Sequence, residues 1–163
     1  MAHMMPVLSI GLPPIAATAP ASDRLNAAIS AFNAHRDREA AATFRSLADE
    51  NSAIGETMLG VMYASGRLGR RDPATAAAFW WRAAARGYPP AALALARATA
   101  AGSGVPRDAR QAFVWALIAA QRGDGAIQTE ARRLADTLGA RLSPSDRSEL
   151  TEKASDWRPW PSG

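Results

Sequence analysis

Apolar residues recur along this chain at helical spacing, in short amphipathic blocks punctuated by glycine, proline and asparagine. Between Asp108 and Gly123, the residues Ala112, Trp115, Ala119 and Ala120 fall at i, i+3, i+7 and i+8, one stripe of a helix. The block before it, Ala91 to Ala101, is built from Ala and Leu, both strong helix formers, and Gly102 stops it. Gly102-Ser103-Gly104 lets the backbone turn at low cost. Asp108, with Gln111 three residues on, has the form of a capping box, and Gly123 stands where a C′ glycine ends a helix. The pattern predicts two packed antiparallel helices, with alanine on the shared stripe so that they approach closely.

The same pattern occurs 36 residues earlier without a gap. Leu59 maps to Leu95, Gly66 to Gly102, Asp72 to Asp108, Ala76 to Ala112, Phe79 to Trp115, Ala83-Ala84 to Ala119-Ala120, and Gly87 to Gly123. Asp72-Pro73 is a strong helix start, a cap followed by proline at the first helical position. A partial third copy is visible at Ala40, Phe44, Leu47, Ala48 and Asn51, with Asn51 in place of the terminating glycine. Repetition at this period is the signature of a stacked repeat architecture, in which each unit buries its apolar face against its neighbours.

The flanks complete the stack. Ser22-Asp23 predicts the cap of a helix over Arg24 to Ala34, with Leu25, Ala28, Ile29 and Phe32 inward, and a second helix runs from about Asp37 to Glu50. Together they form a leading unit over 22–52 that lacks the glycine loop. Units follow at 53–88 and 89–124, then a capping hairpin over 125–157 and a tail over 158–163. In the cap, Gly125 to Gly139 places Ile127, Ala131, Leu134, Ala135 and Leu138 on one face, and Ser143-Pro144 starts a helix carrying Leu150, Ala154 and Trp157. The expected fold is all-α: eight helices in about four pairs, with no strand.

The residues also resemble a known family. Leu59, Gly60, Tyr63 and Gly66 carry a Leu-Gly-x-x-Tyr-x-x-Gly pattern in one copy; Gly102, Gly104, Val105, Asp108, Ala112, Trp115, Ala119, Ala120 and Gly123 carry the following Gly-x-Gly-Val-x-x-Asp and Ala-x-x-Trp-x-x-x-Ala-Ala-x-x-Gly patterns in the next. This is similar to the Sel-one-like repeat (SLR) family, a branch of the tetratricopeptide-like αα solenoids. The resemblance implies a right-handed αα superhelix whose first helices line a concave groove for a peptide or partner protein. On that face it implies Glu56, Met62 and Tyr63 from one copy and Arg97 and Thr99 from the next, the alternative for Met62 and Tyr63 being ordinary core. Two departures stand out: Gly66-Arg67-Leu68-Gly69 replaces the family's Gly-x-Gly-Val, so this loop is expected to differ, and Ala96 and Thr99 replace the helix-A Gly and Tyr.

Composition narrows the chemistry. The absence of cysteine removes disulfides and thiolates. The net charge of +4 comes almost wholly from arginine, Lys153 being the only lysine, and the arginines are interleaved with Asp and Glu. That scatter describes a solvated surface, so no nucleic-acid partner is expected. His35 stands alone between helices, and no metal-ligand, nucleotide-loop or nucleophile-elbow motif occurs, so neither enzyme activity nor a cofactor is expected. Two other readings stay open: an envelope hydrolase like the β-lactamase-like members of the repeat family, and arginine-mediated binding of an anionic polymer.

Residues 1–4, Met-Ala-His-Met, read as an expression-vector scar. Residues 5–21 are apolar but broken by four prolines, which argues against a membrane span, and they end in small-x-small patterns near Ala21. They read as a signal-like or disordered arm, leaning to an exported protein, with a cytoplasmic protein as the alternative. Trp81 lies off its helix's apolar stripe and is either covered by another segment or a docking residue. Trp157 and Trp160, in Trp-Arg-Pro-Trp-Pro, either lock the tail onto the last hairpin or present it to a partner. The partner expected is a protein or peptide, and the chain a monomer.

Overall fold

The computed structural model describes residues 19–161. Its helices are α1 (Ala21–Asn33), α2 (Asp37–Asp49), α3 (Ala53–Ser65), α4 (Pro73–Ala85), α5 (Pro89–Ala101), α6 (Ala109–Arg122), α7 (Gly125–Gly139) and α8 (Pro144–Asp156), with no strand among the described residues. Each helix packs on the next from α1 to α7, so that hairpins stack into a solenoid. The first helices α3, α5 and α7 also touch in succession. The last pair is splayed: α8 takes its main support from α6. The arm read at 5–21 lies outside the described residues except for Ala19, Pro20 and Ala21, as do the 1–4 scar and the last two residues of the tail.

The helix ends follow from the capping residues. The side chain of Ser52 accepts from Gly55 N, Asp72 from Thr75 N, Asp108 from Arg110 N and Gln111 N, and Ser143 from Asp146 N, each at 3.0–3.2 Å. Asn51 is left-handed at φ 64, as is Gly87 at the equivalent position of the next unit, φ 91. Three details depart from the sequence reading. Helix α1 begins at Ala21 behind Pro20, so Ser22 and Asp23 lie within its first turn and make no cap. Helix α5 begins at Pro89, because prolines in a first turn forfeit no helical hydrogen bond. Gly123 is extended at φ −82 instead of left-handed. Its need for glycine is steric: a Cβ there would lie 2.6 Å from Ala119 O and 3.0 Å from the Ile127 side chain, where α7 meets the end of α6.

The core is alanine closing on alanine, with large side chains as wedges. Ala76, Ala83, Ala84, Ala112, Ala116 and Ala119 are fully buried. Phe44, Leu59 and Met62 fill the first cluster, while Phe113, Ile118, Leu138 and Leu150 fill the last. One wedge differs between the repeats. Trp80 lies against α3 where Gly60 leaves room: a Cβ on Gly60 would sit 2.3 Å from the indole nitrogen, which donates to Thr57 O at 3.2 Å. In the second repeat the same two positions are Ala96 and Ala116.

Two of the inter-helix loops reach a neighbouring unit. Arg67, in the α3–α4 loop, pairs with Asp37 at 2.5 Å, donates to Phe32 O at 2.6 Å and lies 3.8 Å over the Phe32 ring. Gly104, in the α5–α6 loop, has φ +75, and a Cβ there would meet Pro73 O at 2.1 Å, so this loop seats directly on the start of α4. In the first repeat Leu68 holds the corresponding place and packs on the first cluster, with positive φ moved to Gly69. The two loops therefore differ, as the departure from the family pattern anticipated. Gly104→Ala is expected to cost about 2–4 kcal/mol, backbone strain plus a clash with an atom that cannot rotate away. Gly69→Ala, with open space around it, is expected to cost only the strain, about 1–2 kcal/mol, and urea denaturation compares the two.

Two carboxyls are held below the ordinary range. In Asp72 the cause is the bond from the Thr75 hydroxyl and then from its backbone N–H; in Asp146 it is first Arg110, 2.7 Å away, and then Ser143. A lowered folded pKa means that these carboxylates stabilise the fold above the unfolded value, about 3.8, and that this contribution is lost as pH falls through the lower folded values. The melting temperature is expected to fall as pH drops below about 4, and less steeply in Asp72→Asn with Asp146→Asn, as calorimetry across that range reads.

Candidate recognition surface

A first helix in this stack has neighbours on several sides, which decides which of its residues reach solvent. Helix α3 is held by α2, α4 and α5, and α5 by α4, α6, α3 and α7. Besides Pro89 and Ala100 at its two ends, what remains open on α5 is Pro90, Ala94, Arg97 and Ala101, a straight stripe at i, i+4, i+7 and i+11. The register carries it to Ile54, Met58, Val61 and Ser65 on α3, and to Ala126, Glu130, Arg133 and Thr137 on α7. All twelve are exposed or partly exposed. The shared surface of the first helices is therefore apolar on α3 and ionic on α7, with α5 between.

Of the residues that the resemblance placed there, only Arg97 lies on this stripe. Glu56, Met62 and Thr99 are at 0, 0 and 5% exposure. Met62 belongs to the first core cluster, and the Thr99 hydroxyl donates to Leu95 O at 2.8 Å. Glu56 sits under the end of α4, accepting a hydrogen bond from Arg86 Nη2 and facing Arg82 Nη2 at 3.0 Å. This carboxylate, withdrawn from water between two guanidiniums, ties α3 to α4. Tyr63 is half-buried on the far side of α3, stacked on Phe79 with centroids 5.8 Å apart, its hydroxyl 3.5 Å from Arg45 Nη2. The correction has one cause. Each residue turns a helix by about 100°, so neighbours of an open position point into the stack.

Between the first repeat and α5 the surface opens into a groove of about 480 Å³. Trp80 and Ala98 line it with Ala94 and Pro73, while Arg71 and Arg97 contribute the charge and Ser103 a hydroxyl. Two guanidiniums and no carboxylate line it. Arg97 pairs with Glu130 across to α7, but both side chains are about half exposed, and such pairs contribute little and exchange readily. Arg71 takes part in none of the ion pairs among the described residues. The spacing of Ala76, Phe79, Trp80, Ala83 and Ala84 sets Trp80 on the apolar stripe of α4, and the sequence reading passed over Arg71. The available signal was the glycine at position 60, which leaves space for a large partner and so keeps Trp80 on the groove side.

A second apolar surface lies at the other end of α4. Trp81, 42% exposed, meets Trp160 edge-on with centroids 4.9 Å apart, and Trp160 is itself 58% exposed. The tail thus reaches past the last hairpin: Trp160 N donates to Ala85 O at 2.8 Å, two units back. Trp157 packs edge-on against Trp115. No described helix is long and apolar enough to cross a membrane, and no group of three or more potential metal ligands occurs among the described residues.

Comparison with known proteins places this geometry. No curated protein matches the sequence. A Sel1 repeat protein from Oxalobacter formigenes is similar in structure, with a TM-score of 0.61 and 27% identity over 72% of this chain and 92% of that one. A protective antigen of uropathogenic Escherichia coli with an SLR fold superposes with a TM-score of 0.74 at 20% identity, a likeness of fold. The match covers 85% of this chain but only 30% of the antigen, so the chain spans less than a third of that protein's length. Residues 53–88 and 89–124 each match the Sel1 repeat, and with these repeats set in an all-helical stack of the same fold, the chain is a Sel1-like repeat protein.

Proposed function

We propose that this chain is a non-catalytic interaction module that takes a short segment of a partner protein along the open stripe of α3 and α5, with a carboxylate of that segment between Arg71 and Arg97. Sel1 repeats are commonly protein-interaction modules, which supports the general class. The observation that carries the finer reading is the lining of the groove: two guanidiniums, an indole wall and no acid. A guanidinium holds a carboxylate with two parallel hydrogen bonds, and a charge-assisted bond is worth about 1.5–3 kcal/mol where water is excluded. Trp80, fixed by its bond to Thr57 O, offers a rigid apolar face beside the charges, the kind of residue that anchors interfaces. Arg97 exchanges Glu130 for the partner's carboxylate at little cost, because the internal pair is solvated. The ligand is thus an apolar segment bearing Asp, Glu or a free C-terminus.

The test is a screen of the full chain against synthetic peptides that set a carboxylate beside Leu, Phe or Trp, followed by anisotropy titration of the tightest binder. A dissociation constant in the micromolar range that weakens with salt is expected. Arg71→Glu and Arg97→Glu should each weaken it about tenfold or more while stability stays within roughly 0.5 kcal/mol, as for surface changes. No binder below about 1 mM, or charge reversals that leave the affinity untouched, would remove the reading.

A further inference from the structure

The C-terminal segment crosses the stack in a way that capping alone does not require. After α8 ends at Asp156, Trp157 is extended at φ −63, ψ 138, the polyproline range. Trp157 lies edge-on against Trp115, 5.8 Å between centroids, with the Arg122 guanidinium 5.0 Å over its ring. Pro159 passes over Gly87, where a Cβ would come within 3.2 Å of the proline ring. Trp160 then donates its backbone N–H to Ala85 O and sets its indole edge-on to Trp81. The segment therefore meets the second helices of two successive repeats: Gly87 and Ala85 at the end of α4, and Trp115 and Arg122 on α6. An aromatic ledge, a carbonyl free to accept and a glycine that admits a proline ring are the parts by which proline-bearing extended peptides are read.

We propose that the ends of α4 and α6 form a second peptide site, which reads an extended Trp-x-Pro-Trp sequence and is filled by this chain's own tail as a tethered ligand. The partner it fits is another protein's segment with that sequence, which gains access when the tail lifts. Release is easy for the distal half of the tail: Trp160 remains more than half exposed while docked, and a single hydrogen bond holds its backbone. Tethering supplies a local concentration in the millimolar range, so the tail dominates until a competitor is abundant or multivalent. The site stands toward the opposite end of α4 from Pro73 and shares no lining residue with the arginine-lined groove.

The experiment uses the full chain and a capped synthetic peptide, Ser-Asp-Trp-Arg-Pro-Trp-Pro, the sequence of 155–161, labelled for anisotropy. Trp160→Ala should loosen the tail and bind the peptide about tenfold more tightly than the wild-type chain does. Trp81→Ala added to Trp160→Ala should abolish that gain, whereas Arg97→Glu should leave it intact. Equal binding by the wild-type chain and Trp160→Ala, or a gain that survives loss of Trp81, overturns the proposal; a gain lost with Arg97→Glu assigns the peptide to the other groove and overturns it equally. Hydrogen exchange gives a check that needs no variant. The Trp160 amide should exchange at least about a hundredfold faster than the amides of α6, by local opening, and exchange at the global unfolding rate would mean a fixed strap with no vacant state.

Discussion

Every layer of this molecule rests on helices that approach closely because the residues between them are alanine or glycine. Alanine adds helix propensity without side-chain entropy, and where it faces alanine the backbones come near enough to leave no gap. Such a contact buries little apolar area per residue, so the stack cannot rely on a few large side chains in one centre. It relies on repetition: buried alanines recur at 76, 83 and 84, and again at 112, 119 and 120. Large residues enter as wedges, and each needs a neighbour that has given up volume. Trp80 over Gly60 is one instance, and Phe113 beside Gly139, where a Cβ would lie 3.0 Å from the ring, is another.

The same close packing decides where recognition can occur. Helices α3 and α5, held on several sides, open mainly along one stripe each, and the 36-residue register aligns those stripes into a continuous surface. The Trp80 wedge leaves the shallow opening between the first repeat and α5, and the loop carrying Gly104 closes its end by seating on Pro73. Charge then separates along the stack, apolar on α3 and ionic at Arg97 and Glu130. At the other end of the second helices, the extended tail meets what the repeats leave uncovered: Trp81, Ala85 O and Trp115.

Much of the fold was legible in the sequence because its determinants are local. Asp72-Pro73, Asp108 and Ser143-Pro144 start helices by chemistry confined to one turn, and the internal repeat supplied the rest of the architecture. The all-α solenoid and the difference between the two inter-helix loops were both readable. The candidate recognition surface was less so. Choosing Glu56, Met62 and Thr99 needed only the knowledge that first helices line a groove; rejecting them needed the rotation of each helix within the stack, which depends on neighbours distant in sequence. Arg97 lay on the open stripe, while Tyr63 turned to the opposite face. The reach of Trp160 back to Ala85 left no local trace at all, since an extended segment has no period. That Trp81 was too large and too far off its stripe to be idle was visible, but its contact was not.

The exchange of volume between positions 60 and 80 isolates the central constraint, because the second repeat fills those places with Ala96 and Ala116. The most direct measurement is a double-mutant cycle in urea. In the wild-type chain Gly60→Ala should destabilise by about 1–3 kcal/mol, since the new methyl meets the indole. In a Trp80→Ala background the same change should be neutral, or stabilising by up to about 1 kcal/mol through helix propensity alone. Loss or reversal of the cost is the result that close packing against a small residue requires. Equal costs in both backgrounds would contradict it, and would mean that glycine at 60 serves the backbone of α3 and not the neighbour lying on it.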